Sequence, residues 1–418
     1  MKNIASTVLR YAGILLGSIL LGMLLMILVY CLPVSPMKEN AQRSTEIYDY
    51  EGVYPQLMWG YKMSQLDNCT DATMLLNAVY SGPESVVEKA VRVFRTEYQD
   101  ENPVKSLTNY SNNVKAEVSV HEYARYWHGY LLILKPLLLF FDVADIRLMN
   151  MFLQMTLLFY TLLLMVRKQY NIYVPAFFIS VLLLNPIAIS LSFQFSTIYY
   201  LMFCGVIFVL KKEEIPEKQA YLLFFLTGIA TSFFDFLTYP LAALFFPLIF
   251  MLIKEDSWKN AIKKVIICSV IWGIGYAGMW CGKWTIGCIL TGRNLWADAL
   301  NRAAMYEAMD YGDGKVNSLQ VILKNIRVLV KWPILLTAVL LCFYYFRRIQ
   351  KESGKISLKG RKVYLTAFAL IALAPFVWYL AAGTHSYIHY WFTYRELCIS
   401  VFAVLAGIVK MMTIQKEY

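Results

Sequence analysis

Residues 11–31 read YAGILLGSILLGMLLMILVYC, an apolar run without a charged residue. About 20 helical residues are enough to cross a hydrocarbon core of about 30 Å. The run is longer than the apolar region of a cleaved signal peptide, and no small-residue cleavage site stands before Leu32 and Pro33. We therefore predict an uncleaved membrane anchor, with Lys2, Arg10 and the N-terminus in the cytoplasm.

Similar apolar segments recur along the whole chain. Of its 418 residues, 59% are hydrophobic and 16% are charged, whereas about 25% of the residues of soluble domains are charged. We predict an all-α, polytopic membrane protein that forms a single domain over residues 1–418. The ten predicted spans are 11–31, 146–166, 173–190, 196–210, 220–236, 240–253, 264–284, 332–346, 363–383 and 396–412.

The basic residues lie mainly in short loops. A formal net charge of +11 would by itself suit a nucleic-acid partner. The Lys and Arg residues, however, gather at 167–168, 211–212, 254–264 and 347–362, and the short loops between these segments hold almost none. This is the positive-inside pattern. It predicts a multi-pass protein of the cell (plasma) membrane with both termini in the cytoplasm, and it argues against a nucleic-acid partner.

Two long segments are predicted on the extracytoplasmic side. The first covers residues 32–130 and contains two helix-like stretches, Asp71 to Tyr80 and Glu84 to Tyr98. The second covers residues 285–331. The apolar stretch that ends the first segment, Tyr130 to Phe141, is too short to span a bilayer, and we predict a helix at the outer interface.

The side chains suited to chemistry gather on this predicted outer side. All four histidines lie there, together with carboxylates, arginines and many aromatic rings. Arg and protonated His pair with phosphate, and flat aromatic rings stack on sugar faces. The set therefore suits a carbohydrate acceptor or a phosphate-linked lipid donor. Its members include Asp67, Asp71, His121, Arg125, Tyr126, Trp127, His128, Asp235, His385, His389, Tyr394 and Arg395.

Simpler roles are open for several of these side chains. Tyr and Trp near a membrane surface form an ordinary aromatic belt, and Asp71 precedes an apolar helix that it would also cap. His385 and His389 are spaced i, i+4, which places both on one helix face as a metal pair requires. The sequence thus establishes no cofactor and leaves a divalent cation, Mg or Mn, open.

The order of motifs in the first 170 residues resembles the GT-C superfamily of membrane glycosyltransferases. The stretch DATMLLNAVY at 71–80 resembles the family's acidic motif before an amphipathic helix. YWHGY at 126–130, followed by an apolar stretch, is similar to its His-containing segment and interfacial helix. FDVADIRLMN at 141–150 is similar to the turn and Arg-Leu-Pro-Ser-like entry to the second span. QFST at 194–197 replaces a second acidic motif.

The resemblance, which is to bacterial protein mannosyltransferase and aminoarabinose transferase-like members, implies a GT-C-like fold and a reaction. A sugar would move from a polyprenyl-phosphate donor in the membrane to an extracytoplasmic glycan, lipid or protein acceptor. Asp71, with Asp67 as its rival, would be the general base. The residues implied in binding the donor phosphate or substrate are Arg125, Tyr126, Trp127, His128, His385, His389, Tyr394 and Arg395.

Two other classes of membrane protein fit the same composition. A polysaccharide polymerase or ligase also has many spans and a large outer loop, but that loop usually comes late in the chain, whereas here it follows the first span. A transporter or flippase of lipid-linked sugars would place ionisable residues at the bilayer midplane. Here Lys283 and Asp235 lie near predicted span ends. The sequence therefore favours the glycosyltransferase.

Overall fold

The computed structural model describes residues 2–307, 310–311, 314–352 and 362–413, and helices dominate it. The helices are α1 (Lys2–Tyr30), α2 (Val34–Glu51), α3 (Asn68–Val79), α4 (Val86–Arg92), α5 (Pro103–Ser111), α6 (Leu131–Leu138), α7 (Val143–Arg167), α8 (Val174–Leu183), α9 (Pro186–Leu191), α10 (Phe193–Lys211), α11 (Glu217–Phe234), α12 (Leu241–Lys254), α13 (Trp258–Thr291), α14 (Leu295–Glu307), α15 (Ser318–Leu329), α16 (Trp332–Glu352), α17 (Lys362–Ala381), α18 (Gly383–Ile388), α19 (Tyr390–Thr393) and α20 (Leu397–Thr413). The strands are β1 (Phe94–Tyr98), β2 (Val118–Glu122), β3 (Asp310–Tyr311) and β4 (Gly314–Lys315).

Several helices are long and apolar enough to cross a membrane, so the prediction of a helical membrane protein is confirmed at this level. α15 and α16 add a sixth candidate if they form one bent span. Each of the ten predicted spans contains a helix. The apolar helices Asn171–Leu183, Leu241–Lys254 and Leu365–Ala381 are shorter than the candidates, so the count of ten stays a prediction. The five candidates among the described residues are Ala5–Tyr30, Val143–Arg167, Phe193–Lys211, Trp258–Thr291 and Tyr390–Met411.

The centre of the bundle is α12. Every residue of this helix from Leu241 to Ile253 is buried, and the helix contacts α10, α11, α13, α17 and α20. A helix that is apolar on all sides belongs inside a protein or in lipid. Here protein helices surround α12, so it is a buried helix. Its short length therefore does not have to match the thickness of a bilayer.

The helices α11 and α13 pack with their backbones in contact. A Cβ atom on Gly228 would lie 2.2 Å from the Trp272 carbonyl oxygen, and one on Gly275 would lie 2.4 Å from that of Phe225. Both distances are shorter than any real Cβ contact, so only glycine fits at these two positions. Small residues at a crossing allow this close approach in membrane bundles.

Gly228→Ala should therefore destabilise the protein by about 1–3 kcal/mol, the usual cost of overpacking a close contact. The matched control is Gly273→Ala, because a Cβ at Gly273 of the same helix pair meets nothing within 4 Å. Melting temperatures of the purified variants in one detergent provide the measurement. Equal melting temperatures for Gly228→Ala and Gly273→Ala would contradict the predicted contact.

Residues 34–122, which we call the cap, dock on the ends of α1, α6 and α13. Lys135 Nζ donates to the Ala78 carbonyl oxygen at 2.6 Å, and Lys283 Nζ donates to that of Val91 at 2.7 Å. These carbonyls lie in the last turns of α3 and α4, where helices leave acceptors unpaired and favour positive charge. Two buried lysines thus attach the cap to the bundle.

The prediction of a helix from Glu84 to Tyr98 is wrong in its second half. α4 ends at Arg92 because Val93 adopts a left-handed conformation, with φ of 49°. Residues 94–98 then form β1, which pairs antiparallel with β2. Inward residues alternate with more exposed ones along β1, a period of two that suits a strand. The helix predicted at Tyr130 to Phe141 is present as α6.

The helix ends predicted to face outside meet in one layer beneath the cap. The Gly129 amide donates to the Phe233 carbonyl oxygen at the end of α11 at 2.9 Å, and the Leu241 amide donates to Glu396 at 3.2 Å. Which side of the membrane this layer faces stays a prediction. Residues 353–361 of the basic segment, 308–309 and 312–313 of the second long segment, and 414–418 lie outside the described ranges.

Candidate functional site

A polar cavity of about 460 Å³ lies where the cap meets the helix ends. We call it the chamber. Its walls come from α3, the β1–β2 ribbon, the segment 123–130, α10, α14 and the turn around α18 and α19. The residues that line it are Thr70, Thr73, Met74, Asn77, Arg95, His121, Glu122, Tyr123, Arg125, Tyr126, Tyr130, Gln194, Phe236, Arg302, His385, His389 and Phe392.

One face of α3 forms the first wall. Thr70, Thr73 and Asn77 are three and four residues apart, so they lie in one row on the helix surface and all line the chamber. α3 begins at Asn68 because the Asp67 side chain accepts the Thr70 amide hydrogen at 2.9 Å. Asp67 is therefore the N-cap, and the alternative in which Asp71 caps this helix is wrong.

The two candidate carboxylates occupy different positions behind this wall. Asp67 precedes the row of Thr70 and Thr73 by one helical turn, and its Oδ2 accepts from Gln194 Nε2 at 2.5 Å. Gln194 itself lines the chamber. Asp71 is fully buried, and its two oxygens accept the Phe193 and Gln194 amides at 3.0 and 3.4 Å. Asp67 thus contacts the side chain of Gln194, whereas Asp71 contacts its backbone amide.

Burial raises the pKa of both carboxyl groups. The pKa of Asp71 rises to about 8 and that of Asp67 rises from its ordinary value, in each case chiefly because burial disfavours the charged form. A raised pKa makes either group a stronger base than a solvated Asp. A pKa of about 8 also leaves Asp71 mostly protonated at neutral pH, so few Asp71 side chains are in the ionised form that can accept a proton.

The β1–β2 ribbon brings charged side chains to the second wall. Arg95 and His121 are direct partners in the ladder, and both contact Glu97, at 2.5 and 3.4 Å. Among the described residues, Glu122 is the only carboxylate that lines the chamber. It pairs with Arg92 at 2.5 Å and with Arg293 at 2.8 Å. Two arginines therefore balance the charge of this carboxylate.

The segment Tyr123–Tyr130 divides into lining and supporting residues. Arg125 and Tyr126 line the chamber, and Arg125 pairs with Asp298 of α14 at 3.1 Å. Trp127 is fully buried and donates from Nε1 to the Met279 carbonyl oxygen at 2.8 Å. His128 takes a left-handed conformation, with φ of 56°, and donates from Nε2 to the Tyr123 carbonyl oxygen at 2.7 Å. The structure thus places Trp127 and His128 as supports of the turn.

Gly129 explains why this turn needs its sequence. A Cβ at Gly129 would lie 2.3 Å from the Phe233 ring and 2.5 Å from the Phe233 carbonyl oxygen. The glycine lets the segment approach the end of α11, and Tyr130 can then turn toward Asn77, whose Nδ2 donates to its hydroxyl at 3.0 Å.

His385 and His389 both line the chamber, with ring centroids 4.8 Å apart. His385 donates from Nε2 to the Leu237 carbonyl oxygen at 2.9 Å. Burial lowers the pKa of His385 to about 4 and those of His389 and His128 to about 3. These imidazoles are neutral at neutral pH, so the idea that one of them carries the charge opposite a phosphate is not supported.

His385→Gln should change how stability depends on pH. Below about pH 6.5 the unfolded His takes up a proton that the folded His385, with its pKa of about 4, does not. The wild type therefore loses up to about 1.4 kcal/mol per pH unit from this residue between pH 6.5 and 4. Gln keeps a donor for Leu237 without this loss. The melting temperature of the variant minus that of the wild type should rise from pH 7 to 5 and stay level from pH 7 to 8. A difference that does not vary with pH would contradict the burial of a neutral His385.

The described residues contain no group of three or more His, Cys, Asp or Glu side chains placed to hold a metal ion. His385 and His389 thus have no third ligand of these types beside them, and His385 already binds a backbone carbonyl. A divalent cation coordinated by this pair stays a prediction, and we assign it no role.

Tyr394 and Arg395 lie in the protein core, away from the chamber. Both are fully buried. Arg395 Nε donates to the Leu184 carbonyl oxygen at 2.8 Å, and its guanidinium lies 4.3 Å from the Phe195 ring centroid. Leu184 follows the last residue of α8, where a cation is favourable. Arg395 therefore attaches the turn before α20 to the end of α8, and the structure does not bring it to the chamber.

An apolar groove of about 280 Å³ opens beside the chamber. We call it the first groove. Most of its lining comes from α13 and α14, including Tyr276, Ala277 and Trp280. Arg125, Tyr126 and Arg302 line both the first groove and the chamber. Two arginines therefore lie where the apolar first groove meets the polar chamber.

The sequence interpretation did not single out several chamber residues. Thr73, Asn77 and Gln194 carry a weak signal, since they are polar side chains at the ends of apolar helices. Arg95 and Glu122 become neighbours of the site only through the β1–β2 pairing, which the predicted helix concealed. No feature of the sequence around Arg302 indicated that this residue would line the chamber.

The stretch that resembles the GT-C superfamily supplies much of the chamber wall. The acidic motif lies on α3, and the segment 126–130 forms the supported turn. QFST at 194–197, which stands in place of the family's second acidic motif, begins at the glutamine that binds Asp67. Comparison with known proteins found no matching family model, no matching curated protein and no matching solved structure.

Proposed function

We propose that this protein is a membrane glycosyltransferase that moves a sugar from a polyprenyl-phosphate donor to an acceptor. In this proposal it lies in the plasma membrane with a GT-C-like arrangement of spans, both termini in the cytoplasm and the chamber on the outer side. The observation that carries the proposal is the junction between the first groove and the chamber. Apolar groove, two arginines and polar chamber follow each other in the order of isoprenoid chain, phosphate and sugar.

The arginines at the junction suit the donor phosphate. Guanidinium groups form paired, charge-assisted hydrogen bonds with phosphate oxygens, and they keep their charge at any working pH. Arg125 is held by Asp298 at 3.1 Å and packs against the Tyr123 ring at 4.9 Å. A guanidinium that is already oriented before the substrate binds stabilises the negative charge that develops on the leaving phosphate.

The chamber suits a sugar. The rings of Tyr126, Tyr130 and Phe236 line it, next to the hydroxyl of Thr73 and the amide of Asn77. Aromatic faces and neutral hydrogen-bonding groups provide contacts for a polyol. The neutral imidazoles of His385 and His389 add further hydrogen-bonding groups.

In the proposed reaction Asp67 accepts the proton of the acceptor hydroxyl. The acceptor oxygen then forms a bond to the anomeric carbon, the bond from that carbon to the phosphate oxygen breaks, and the electron pair leaves with the polyprenyl phosphate. Asp67 is covered by the Gln194 side chain, which must move aside, and catalytic hydrogen bonds often form only in the substrate complex. Asp71 remains the alternative base.

Purified protein should transfer sugar from polyprenyl-phosphate sugars and not from nucleotide sugars. Radiolabelled sugars on the two kinds of donor, offered with a membrane extract as acceptor, provide the measurement. Equal use of the nucleotide sugar would contradict the proposal. Movement of the donor across vesicle membranes without any transfer would instead indicate a flippase.

A further inference from the structure

A second apolar groove, of about 400 Å³, also reaches the chamber. It lies between α6, α7 and α10. Met74 and Tyr130 line both this second groove and the chamber. Its rim residues Ile133 and Leu153 are 52% and 51% exposed, and α7 is one of the helices long and apolar enough to span a membrane. The second groove therefore opens toward lipid at one end and toward the chamber at the other.

The two grooves differ in charge where they meet the chamber. The first groove meets it at Arg125 and Arg302, whereas the second meets it at a thioether and a phenol. The polar groups in the second groove bind one another: Tyr200 donates its hydroxyl hydrogen to Asn150 Oδ1 at 2.7 Å, and Asn150 Nδ2 donates to Ser196 at 2.8 Å. Among the residues that the structure describes, no Lys, Arg or His lines the second groove. On the chamber side of the junction, Arg95 is the arginine whose charge reaches Tyr130, and it is paired with Glu97 at 2.5 Å.

The cations on the neighbouring helices are already engaged. Lys135 of α6 donates to the Ala78 carbonyl oxygen at 2.6 Å. Arg147 of α7 pairs with Glu51 at 2.9 Å and donates to Asn68 at 2.9 Å. A phosphate here would have to displace these partners, of which Glu51 is 25% exposed, whereas the partner of Arg125 in the first groove, Asp298, is 49% exposed. A buried phosphate left without a cation is costly. The occupant of the second groove must be uncharged where it enters the chamber.

We propose that the second groove binds the apolar chains of the acceptor, and that this acceptor is an uncharged glycerolipid, a diacylglycerol or a glycosyl-diacylglycerol. The inference rests on the proposed function, which it deepens by naming the acceptor class. Its free hydroxyl enters the chamber beside Tyr130, whose own hydroxyl is bound by Asn77 at 3.0 Å. Asn77 lies on the same row of α3 as Thr70 and Thr73. This row leads back to Asp67, which is ten residues or about 15 Å along the helix from Asn77, so the hydroxyl must extend along the row to reach the base. Donor and acceptor thus enter from different grooves and meet in the chamber.

A third groove provides an internal comparison. It lies between α8, α16 and α20, has a volume of about 530 Å³ and is apolar, but it shares no lining residue with the chamber. A lipid in the third groove cannot present a hydroxyl to the chamber. Labelling of the third groove therefore measures the general affinity of the bundle for lipid.

Photo-crosslinking of the full chain in nanodiscs tests the inference. The acceptor probe is a diacylglycerol with a diazirine in one acyl chain, and the donor probe is a polyprenyl phosphate with a diazirine near the phosphate. Met149→Trp fills the second groove, and Phe152→Trp is its matched control, since Phe152 is 70% exposed on the same helix and does not line the groove. Ala277→Trp and Ile274→Trp form the same kind of pair for the first groove.

The acceptor probe should label α6 and α7 more than the third groove. Met149→Trp should lower that labelling on the order of tenfold, the result of an overpacking cost of about 1–3 kcal/mol, and Phe152→Trp should not. A phosphatidylglycerol probe should label the second groove less than the diacylglycerol probe. Transfer to added diacylglycerol should fall with the same variant. Leu153→Trp at the rim replaces Met149→Trp if the latter does not fold.

The contradicting outcomes can be told apart. In one case, the donor probe labels the first groove and Ala277→Trp prevents this labelling. The acceptor inference alone is then overturned if Met149→Trp and Phe152→Trp show equal labelling of α6 and α7. It is also overturned if α6 and α7 are labelled no more than the third groove. If the donor probe does not label the first groove, the proposed function itself fails, and the acceptor inference fails with it.

Discussion

Asp67→Asn should lower the rate of sugar transfer by about 10²–10⁴-fold, the usual contribution of a general base. The substitution removes the carboxylate and keeps the shape. Asn still accepts the Thr70 amide hydrogen that Asp67 now accepts at 2.9 Å, and Asn caps helices about as well as Asp. Gln194 can turn its amide to present oxygen to the new NH₂ group. The melting temperature should therefore stay close to that of the wild type while transfer is lost.

Asp71→Asn is the informative comparison, and it should act on stability. Both Asp71 oxygens accept amide hydrogens from the start of α10, and Asn offers only one accepting oxygen. One buried amide is left unpaired, which costs about 1–3 kcal/mol. Transfer per folded molecule should change little. If Asp71→Asn abolishes transfer in folded protein and Asp67→Asn does not, Asp71 is the base, as the motif at 71–80 implies.

The sequence was sufficient to predict the long apolar helices because each is marked locally, whereas α2 and α5 of the cap were not predicted. The apolar run at 11–31, for example, indicates by itself that it is a helix and that it lies in a membrane. The row Thr70, Thr73 and Asn77 likewise follows from helical spacing alone. Asp67 and Asp71 could both be named as candidates on these grounds. Their different roles could not, because the role of each is decided by a contact with α10 that lies more than 120 residues away in the chain.

The arginines show the same division between local and distant information. Arg125 was predicted in the site and lines it. Arg395 carries the same charge at the same predicted depth, yet it lies buried against Leu184, 211 residues away. Arg95 entered the chamber only because β1 pairs with β2, which replaces the expected helix. A charged side chain at a membrane surface thus indicates a candidate, while the packing of other helices decides whether it meets the substrate.

Arg125→Gln should lower transfer on the order of 10²–10³-fold, as does the loss of one oriented donor from a site of developing negative charge. The effect should appear in kcat as well as in KM for the polyprenyl-phosphate sugar, because the charge on the phosphate grows as the bond breaks. Stability should change by less than about 1 kcal/mol, since Asp298 is 49% exposed and exposed ion pairs contribute little. Arg125→Lys should recover part of the rate, because Lys keeps the charge without the paired hydrogen bonds.

Arg293→Gln is the matched control for this substitution. Arg293 also forms an ion pair with a carboxylate of this region, Glu122 at 2.8 Å, and is 52% exposed, but it lines neither the chamber nor the first groove. It removes the same charge without removing a donor from the junction. Steady-state kinetics of both variants, with donor concentration varied, make the comparison. If the two substitutions slow transfer equally, the effect belongs to the net charge of the region. If only Arg125→Gln does so, and in kcat, the phosphate leaves at the junction of the chamber and the first groove.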